Sequence, residues 1–230
     1  AIKVDIPIIH YGSGFLDNTI DSWHDFFGMP RANRPYVTND QYRIKYVKNG
    51  QTQINFDTSH RDLGDIQIVL GRHLIRENNS APRLWASVYL PTGHQSHFSG
   101  NDGSAFALWL AGDYRFHPEW NIDTTAGVLW PSESQLESLT VQDQVYFGYV
   151  GIQWQAHPVF DLRLQFNGHT SFHKDTQLRL LGSTHNLTFG GRIHVDECSD
   201  IDLATSEDIK VGATPDVSFL ISWHSRIDCK

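Results

Sequence analysis

Apolar and polar residues alternate along most of this chain, and that period of two constrains the fold more than any other feature. In Ala1–His10, Ile2, Val4, Ile6 and Ile8 alternate with Lys3, Asp5 and Pro7. In Val159–His169, Phe160, Leu162, Leu164 and Phe166 alternate with Asp161, Arg163, Gln165 and Asn167. In Leu187–Asp196, Leu187, Phe189, Ile193 and Val195 alternate with Thr188, Arg192 and His194. Successive side chains of a strand point to opposite faces, so each series gives a strand with one apolar and one polar face. About twelve segments read this way: 1–10, 41–48, 51–58, 63–76, 83–92, 103–116, 120–130, 143–156, 159–170, 178–195, 200–208 and 216–227. One stretch follows the helical period instead. In Phe15–Phe27, the residues Phe15, Leu16, Ile20, Trp23, Phe26 and Phe27 gather near one face, and Gly28 and Pro30 end the run.

The connections between these segments are unequal. Asn49-Gly50, His117-Pro118, His157-Pro158 and Glu197–Ser199 are tight, and Asn49-Gly50 is a type I′ hairpin signal. The alternate connections 11–40, 93–102, 131–142, 170–177 and 209–215 are longer, with 59–62 the short exception. Short turns at one end and long loops at the other mark an up-and-down membrane β-barrel. The expected fold is therefore all-β: one antiparallel transmembrane barrel of about twelve strands over residues 1–230, with a short amphipathic helix in the first long loop.

Alternation does not say which face is outside. A barrel of about twelve strands encloses more space than its side chains easily fill. The polar face carries Lys3, Asp5, Asp65, Arg83, Asp161, Arg163 and Arg192, which suits a hydrated interior. Trp120, Trp130, Trp154 and Trp223 fall on the apolar face near strand ends, as interfacial girdles do. A soluble β-sandwich with these Trp residues in its core is the competing arrangement. Composition removes other classes. The formal charge is −8 with no basic block, which does not suit nucleic acid. No run approaches the roughly 18 apolar residues of a membrane helix. The start AIKVDIPIIH lacks the charged and apolar regions of a secretion signal.

Several segments resemble a family of outer-membrane β-barrel proteins of Gram-negative bacteria, distantly related to channel proteins of the meta-cleavage phenol-degradation type. They are Gly12-Ser13-Gly14-Phe15-Leu16-Asp17, Trp23-His24-Asp25-Phe26-Phe27-Gly28-Met29-Pro30, Leu63-Gly64-Asp65, Leu90-Pro91-Thr92-Gly93, Ser99-Gly100-Asn101-Asp102-Gly103, Ser206-Glu207-Asp208-Ile209 and Pro215-Asp216-Val217. The resemblance implies the barrel fold and the bacterial outer membrane, and no activity. The first strand matches an interior strand of that family, which implies a further N-terminal part and room for more than twelve strands. The end, Arg226-Ile227-Asp228-Cys229-Lys230, lacks the terminal aromatic expected of such barrels.

Candidate chemistry is thin. Thirteen His residues are many. His94 and His97 have HxxH spacing, but in a loop this does not set both rings on one side, so a metal site is the weaker reading and surface His the stronger. His169 and Ser171 are two apart at a strand end, where they share a face, yet nothing selects an acid partner for a hydrolase. Gly100–Gly103 lacks the Lys and helix of a phosphate cradle. Phe15, Leu16, Trp23, Phe26 and Phe27 would form either a plug in the barrel or a helix lying on its rim. Cys198 and Cys229 lie equally far from a hairpin turn between 213 and 214. Directly opposed strand residues come close to disulfide distance, so a Cys198–Cys229 bridge is expected.

The reading that follows is a monomeric outer-membrane channel or binding protein for a small, hydrophobic solute, in contact with outer-membrane lipid and without a cofactor. Lumen-facing Asp65, Arg83, Asp161, Arg163 and Arg192 would set its selectivity. A lipid-modifying hydrolase and a structural or adhesion barrel are the alternatives.

Overall fold

Strands take up the alternating segments almost throughout. The computed structural model describes residues 1–29, 34–75, 80–132, 139–174, 178–209, 214 and 217–226. In chain order the elements are β1 (Ile2–Asp5), β2 (Ile8–Tyr11), α1 (Asp17–Phe27), β3 (Ile44–Lys48), β4 (Gln51–Phe56), β5 (His60–Leu63), β6 (Ile66–His73) and β7 (Arg83–Leu90). They continue with β8 (Ala105–His117), β9 (Trp120–Trp130), β10 (Val145–His157), β11 (Phe160–His169), β12 (Thr184–His194), β13 (Ser199–Asp208) and β14 (Val217–Ser225). Ten strands make one antiparallel sheet in the order β1-β6-β7-β8-β9-β10-β11-β12-β13-β14.

This differs from the expected closed barrel of about twelve strands. The edges β1 and β14 are not paired with each other among the described residues. Segments 41–48 and 51–58 are absent from the sheet and pair only with each other, as β3 and β4. Their Asn49-Gly50 turn has both φ angles positive, 52° and 77°, as a type I′ turn requires. At 5 and 6 residues these strands fall short of the roughly 9–11 that cross a bilayer. Segment 1–10 splits into β1 and β2 at Pro7, which has no N–H to give the ladder. Segment 63–76 yields β6, while the expected short connection 59–62 supplies most of the strand β5, which pairs with β2. Gly64 N–H donates to the Pro7 carbonyl at 2.8 Å. The register slips there by one residue, from Ile2 opposite Leu70 to Ile8 opposite Leu63.

Within the main sheet the expected ends hold. Pro91 and Pro118 flank opposite ends of the hairpin partners β7 and β8. The tight connections at 118–119, 158–159 and 195–198 share one rim, and 91–104, 131–144 and 170–183 share the other. The connection 74–82 is a longer member of the tight rim.

The sheet is inside out relative to a water-soluble protein. Leu84, Phe106, Leu110, Leu164 and Phe166 are exposed, while Ser87, Asp123, Asp161 and Asp200 are buried. Among the described residues only Val69, Ala105, Ala107 and Val145 form a buried apolar group. Aromatic pairs sit on the apolar face toward both rims: Phe106–Trp130 at 5.5 Å, and Trp120–Trp154 at 5.4 Å.

The helix starts at Asp17 rather than Phe15 and none of its residues is buried. It makes no extensive contact with any described strand. Cys198 is disulfide-bonded, and its expected partner Cys229 lies outside the described residues. The register sets Ser199 opposite Ser225, and Arg226 N–H donates to the Cys198 carbonyl at 2.9 Å. The position opposite Cys198 is thus Arg226 and not Cys229.

Gly127 tests the packing. A Cβ there would lie 2.6 Å from Phe147 Cζ and 2.8 Å from the Leu108 carbonyl oxygen. Gly127→Val is expected to lower stability by about 1–3 kcal/mol in denaturant unfolding, the usual cost of overpacking. Gly14→Ala, with nothing within 4 Å, should leave the midpoint unchanged.

Candidate binding site at the mouth

The long-loop rim is drawn together around one carboxylate. Asp65 follows Gly64 at the break between β5 and β6, and its two oxygens accept from Gly93 N–H and Asn101 N–H, each at 2.9 Å. The carboxylate thereby closes the loop 93–101 on itself. Gly100 lies so close to Asp65 Oδ1 that a Cβ would collide with it. Beside it, Thr92 Oγ1 donates to the Gly64 carbonyl at 2.7 Å and accepts from Ile66 N–H at 2.9 Å. The segments Leu63-Gly64-Asp65, Leu90–Gly93 and Ser99–Gly103, distant in sequence, meet here.

A second set of bonds fixes the outer part of the same loop. His97 Nδ1–H donates to Asp62 Oδ2 at 2.7 Å, Ser99 Oγ–H donates to the same oxygen at 3.3 Å, and Tyr11 O–H donates to the Phe98 carbonyl at 2.7 Å. Phe98 takes φ 53°, an unusual conformation for a bulky residue. Tyr11, Phe56, His60 and Phe98 form a ring cluster beneath it, with Phe56 edge-on to Phe98 at 5.5 Å.

These loops and the β3–β4 hairpin enclose a cavity of about 1160 Å³. Ile44, Ile54, Phe98, Leu129, Phe172 and Leu181 supply much of its apolar wall. Tyr89, His169 and His173 supply polar groups, and Lys45 and Arg179 lie in the lining as cations. Burial pushes the His173 pKa down from its ordinary value, which favours the neutral ring. Burial likewise raises that of Tyr42 beside the ring cluster.

The inner face of the sheet is graded below this cavity. One row across the strands reads Val69, Ser87, Ala107, Leu129 and Val145. The next reads Gly71, Trp85, Trp109, Gly127, Phe147 and His169. Trp85 and Trp109 are stacked at 6.2 Å and 9°, and Phe147 meets Trp109 at 6.3 Å. Toward the tight rim the face turns ionic. Arg163 pairs with Asp123. Arg192 reaches both oxygens of Asp202 at 2.7 and 2.9 Å. Gln153 donates to Asp161 at 2.9 Å, and His194 bridges Asp161 and Asp200 at 3.2 and 2.7 Å.

The expected lumen residues divide accordingly. Asp161, Arg163 and Arg192 share the ionic zone of the inner face. Arg83 lies on that face beside His73, at 3.4 Å. Asp65 belongs to the mouth, where the backbone N–H groups occupy it. His169 and Ser171 are not joined: Ser171 Oγ–H is directed at the His173 and Leu181 carbonyls, at 2.8 and 2.6 Å, and the His169 ring nitrogen lies 2.8 Å from the Thr170 carbonyl. His94 and His97 have ring centroids 6.0 Å apart, and His97 is engaged by Asp62. No group of three or more metal-ligating side chains occurs among the described residues. Trp85, Trp109 and Phe147 escaped the sequence reading. Their signal is an alternation that fails: in Leu84-Trp85-Ala86-Ser87-Val88-Tyr89-Leu90 both faces carry large apolar or aromatic groups.

The model of a family described as a protein of unknown function, DUF3187, matches residues 1–227. No curated protein matches the chain. Among solved structures, the crystal structure of the P. putida toluene transporter TodX is similar at a TM-score of 0.44 and 12% identity, over 89% of this chain. The chain covers 57% of that transporter. So remote a likeness carries no argument about activity.

The Asp62 clamp gives a pH dependence. The hydrogen bond from His97 holds the Asp62 carboxyl below the usual carboxylate range, outweighing its desolvation. The clamp's stabilisation is therefore present above the unfolded value of about 3.9 and is lost as pH falls through the lowered folded value. Protection of the Phe98 and Ser99 amides from hydrogen exchange, expressed against the intrinsic rate at each pH, should fall from about pH 5 to about pH 2 in the wild type. Asp62→Asn should remove the step.

Proposed function

This chain belongs to the DUF3187 family, whose function is unknown, and we propose that it is an outer-membrane β-barrel that takes a small, largely apolar solute into its mouth and passes it along its inner wall. The observation that carries the reading is the continuity of apolar surface from the mouth cavity to the Trp85–Trp109–Phe147 row. An interior meant only for ions and water needs no stacked indoles. A solute leaving the apolar cavity meets aromatic faces next, and reaches the charged zone only at the tight rim.

The membrane half of the reading rests on the inverted sheet and on the spacing of its aromatic rows. From Phe106 to Phe116, both on β8, the strand advances about 33 Å at a rise of about 3.3 Å per residue. At a tilt of about 40° that spans about 25 Å, the height of the apolar band of such barrels. Phe106 meets Trp130 toward one rim, and Phe116 lies near Trp120, at 6.4 Å, toward the other. The tight rim then faces the periplasm, an oxidising compartment in which a Cys198–Cys229 bridge persists.

Three measurements test the proposal. In nanodiscs, equilibrium dialysis of radiolabelled decalin, a compact bicyclic hydrocarbon, should show saturable binding above empty discs, lost in Leu129→Asp. Purely linear partitioning would overturn the binding reading. Leu164→Arg should cost about 2–4 kcal/mol on refolding into a bilayer. A neutral effect there would remove the membrane reading. Non-reducing peptide mapping should return Cys198 and Cys229 in one linked fragment, and separately alkylated cysteines would end that part of the proposal.

A further inference from the structure

The helix α1 repeats the inversion of the sheet. Phe15 and Phe26 are 83% and 82% exposed, and Trp23 and Phe27 are exposed beside them. On the opposite side of the helix, Asp17, Asp21 and His24 are the more covered residues. Arg34 explains much of this. Its guanidinium reaches Asp17 Oδ1 at 2.6 Å and Asp21 Oδ1 at 2.9 Å. These carboxylates hold the Arg34 pKa above its ordinary value. Asp17 Oδ2 also accepts from Asp40 N–H at 2.7 Å, and Asn39 Nδ2 donates to Asn18 Oδ1 at 2.9 Å. Much of the polar face is thereby engaged inside the segment itself, and the aromatic face is exposed.

That outward face is one cluster. Trp23 and Phe27 have ring centroids 4.5 Å apart, and Phe26 and Phe27 4.9 Å. With the helix at 100° per residue, Trp23, Phe26 and Phe27 fall within one arc that contains no charged side chain. Exposed apolar positions also run along the chain into the helix: Ile2, Val4, Ile6 and Ile8, then Phe15 and Leu16. The first two stand on the outer face of the edge strand β1.

We infer that the aromatic face of α1 docks on the membrane itself, with Trp23, Phe26 and Phe27 inserted at the boundary between lipid headgroups and acyl chains. This inference rests on the barrel being in a bilayer. Three observations select lipid as the occupant. The helix covers none of its aromatics against the sheet. Its polar side is engaged from within its own segment, Asp17 and Asp21 by Arg34 and Asn18 by Asn39. The chain leading into the helix carries exposed apolar residues from the outer face of β1 onward, and Trp and Phe on one face are the side chains that favour the interfacial region.

The test places the photocrosslinking amino acid p-benzoylphenylalanine at position 26, in the full chain reconstituted in phosphatidylcholine nanodiscs. Position 164, on the outer face of β11, serves as the reference, and position 18 as the polar-side control. Lipid adducts at 26 and 164, lost at 18, are the expected result. Adducts at 164 with none at 26, or with only protein adducts at 26, overturn the docking while leaving the barrel in the membrane. No lipid adduct at either 26 or 164 overturns both. As a second readout, Phe26→Ser with Phe27→Ser should abolish the quenching contributed by Trp23 in discs of bromine-labelled phosphatidylcholine. That contribution is the difference from the same protein carrying Trp23→Phe. Unchanged quenching would overturn the inference.

Discussion

The ladder from β6 to β14 fixes which face every side chain takes, and the rest of the molecule depends on it. Side chains alternate along each strand, so a slip of one residue would exchange the two faces. The pairings of β7 with β8, β9 with β10 and β11 with β12 carry one register along their main run. Asp161 is therefore opposite Arg192, and Arg192 opposite Asp202, on the same face as Gln153 and Arg163. Buried carboxylates are tolerated only where they are paired and hydrogen-bonded. The ionic zone supplies that pairing, and at the same time opposes any register that would leave Asp161 or Asp123 among leucines.

The mouth and the inner wall differ in what holds them. The wall is held by continuous backbone pairing and by aromatic contacts such as Trp85 with Trp109. The mouth is held by a few side chains bonded to backbone: Asp65 to Gly93 and Asn101, Thr92 to Gly64, and Tyr11 to Phe98. Such bonds contribute roughly 1 kcal/mol each, and more where a carboxylate accepts them. The mouth can thus rearrange at a smaller cost than the wall. The proposed entry and exit of a solute at the mouth would use that difference.

The wall was largely legible in the sequence. The alternation in β11 and β12 is clean, and it gave both the strands and the facing of Leu164 and Asp161. The tight turns at His117-Pro118 and His157-Pro158 set the rims. Strand count was not legible from alternation alone, because Ile44–Lys48 and Gln51–Phe56 alternate too. Their length was the discriminating property. The site was far less legible. Asp65 reads as a lumen charge until Gly93 and Asn101 are seen to hold it. His169 and Ser171 are suitably spaced, yet Ser171 turns to the carbonyls of His173 and Leu181. Trp85 and Trp109 are invisible to a search for polar function, since they matter by being apolar on the polar face. For α1, amphipathicity reveals a sided helix but not the medium that its apolar side meets, so a plug and a rim helix read alike in the sequence.

The nesting of the first six strands has a consequence for how such a protein can diversify. In the sheet, β6 through β14 pair with chain neighbours, while β1 pairs with β6 across everything between them. The helix, the β3–β4 hairpin and the β2–β5 pair are thus one excursion, entered and left at adjoining points of the rim. Closing a longer flexible loop costs only about 0.6 kcal/mol for each doubling of its length. The excursion can therefore lengthen, shorten or change its lining while the wall keeps its register. Selection can act on the mouth and the wall as separate modules, and on the proposed function a lineage could change what it admits without rebuilding the wall.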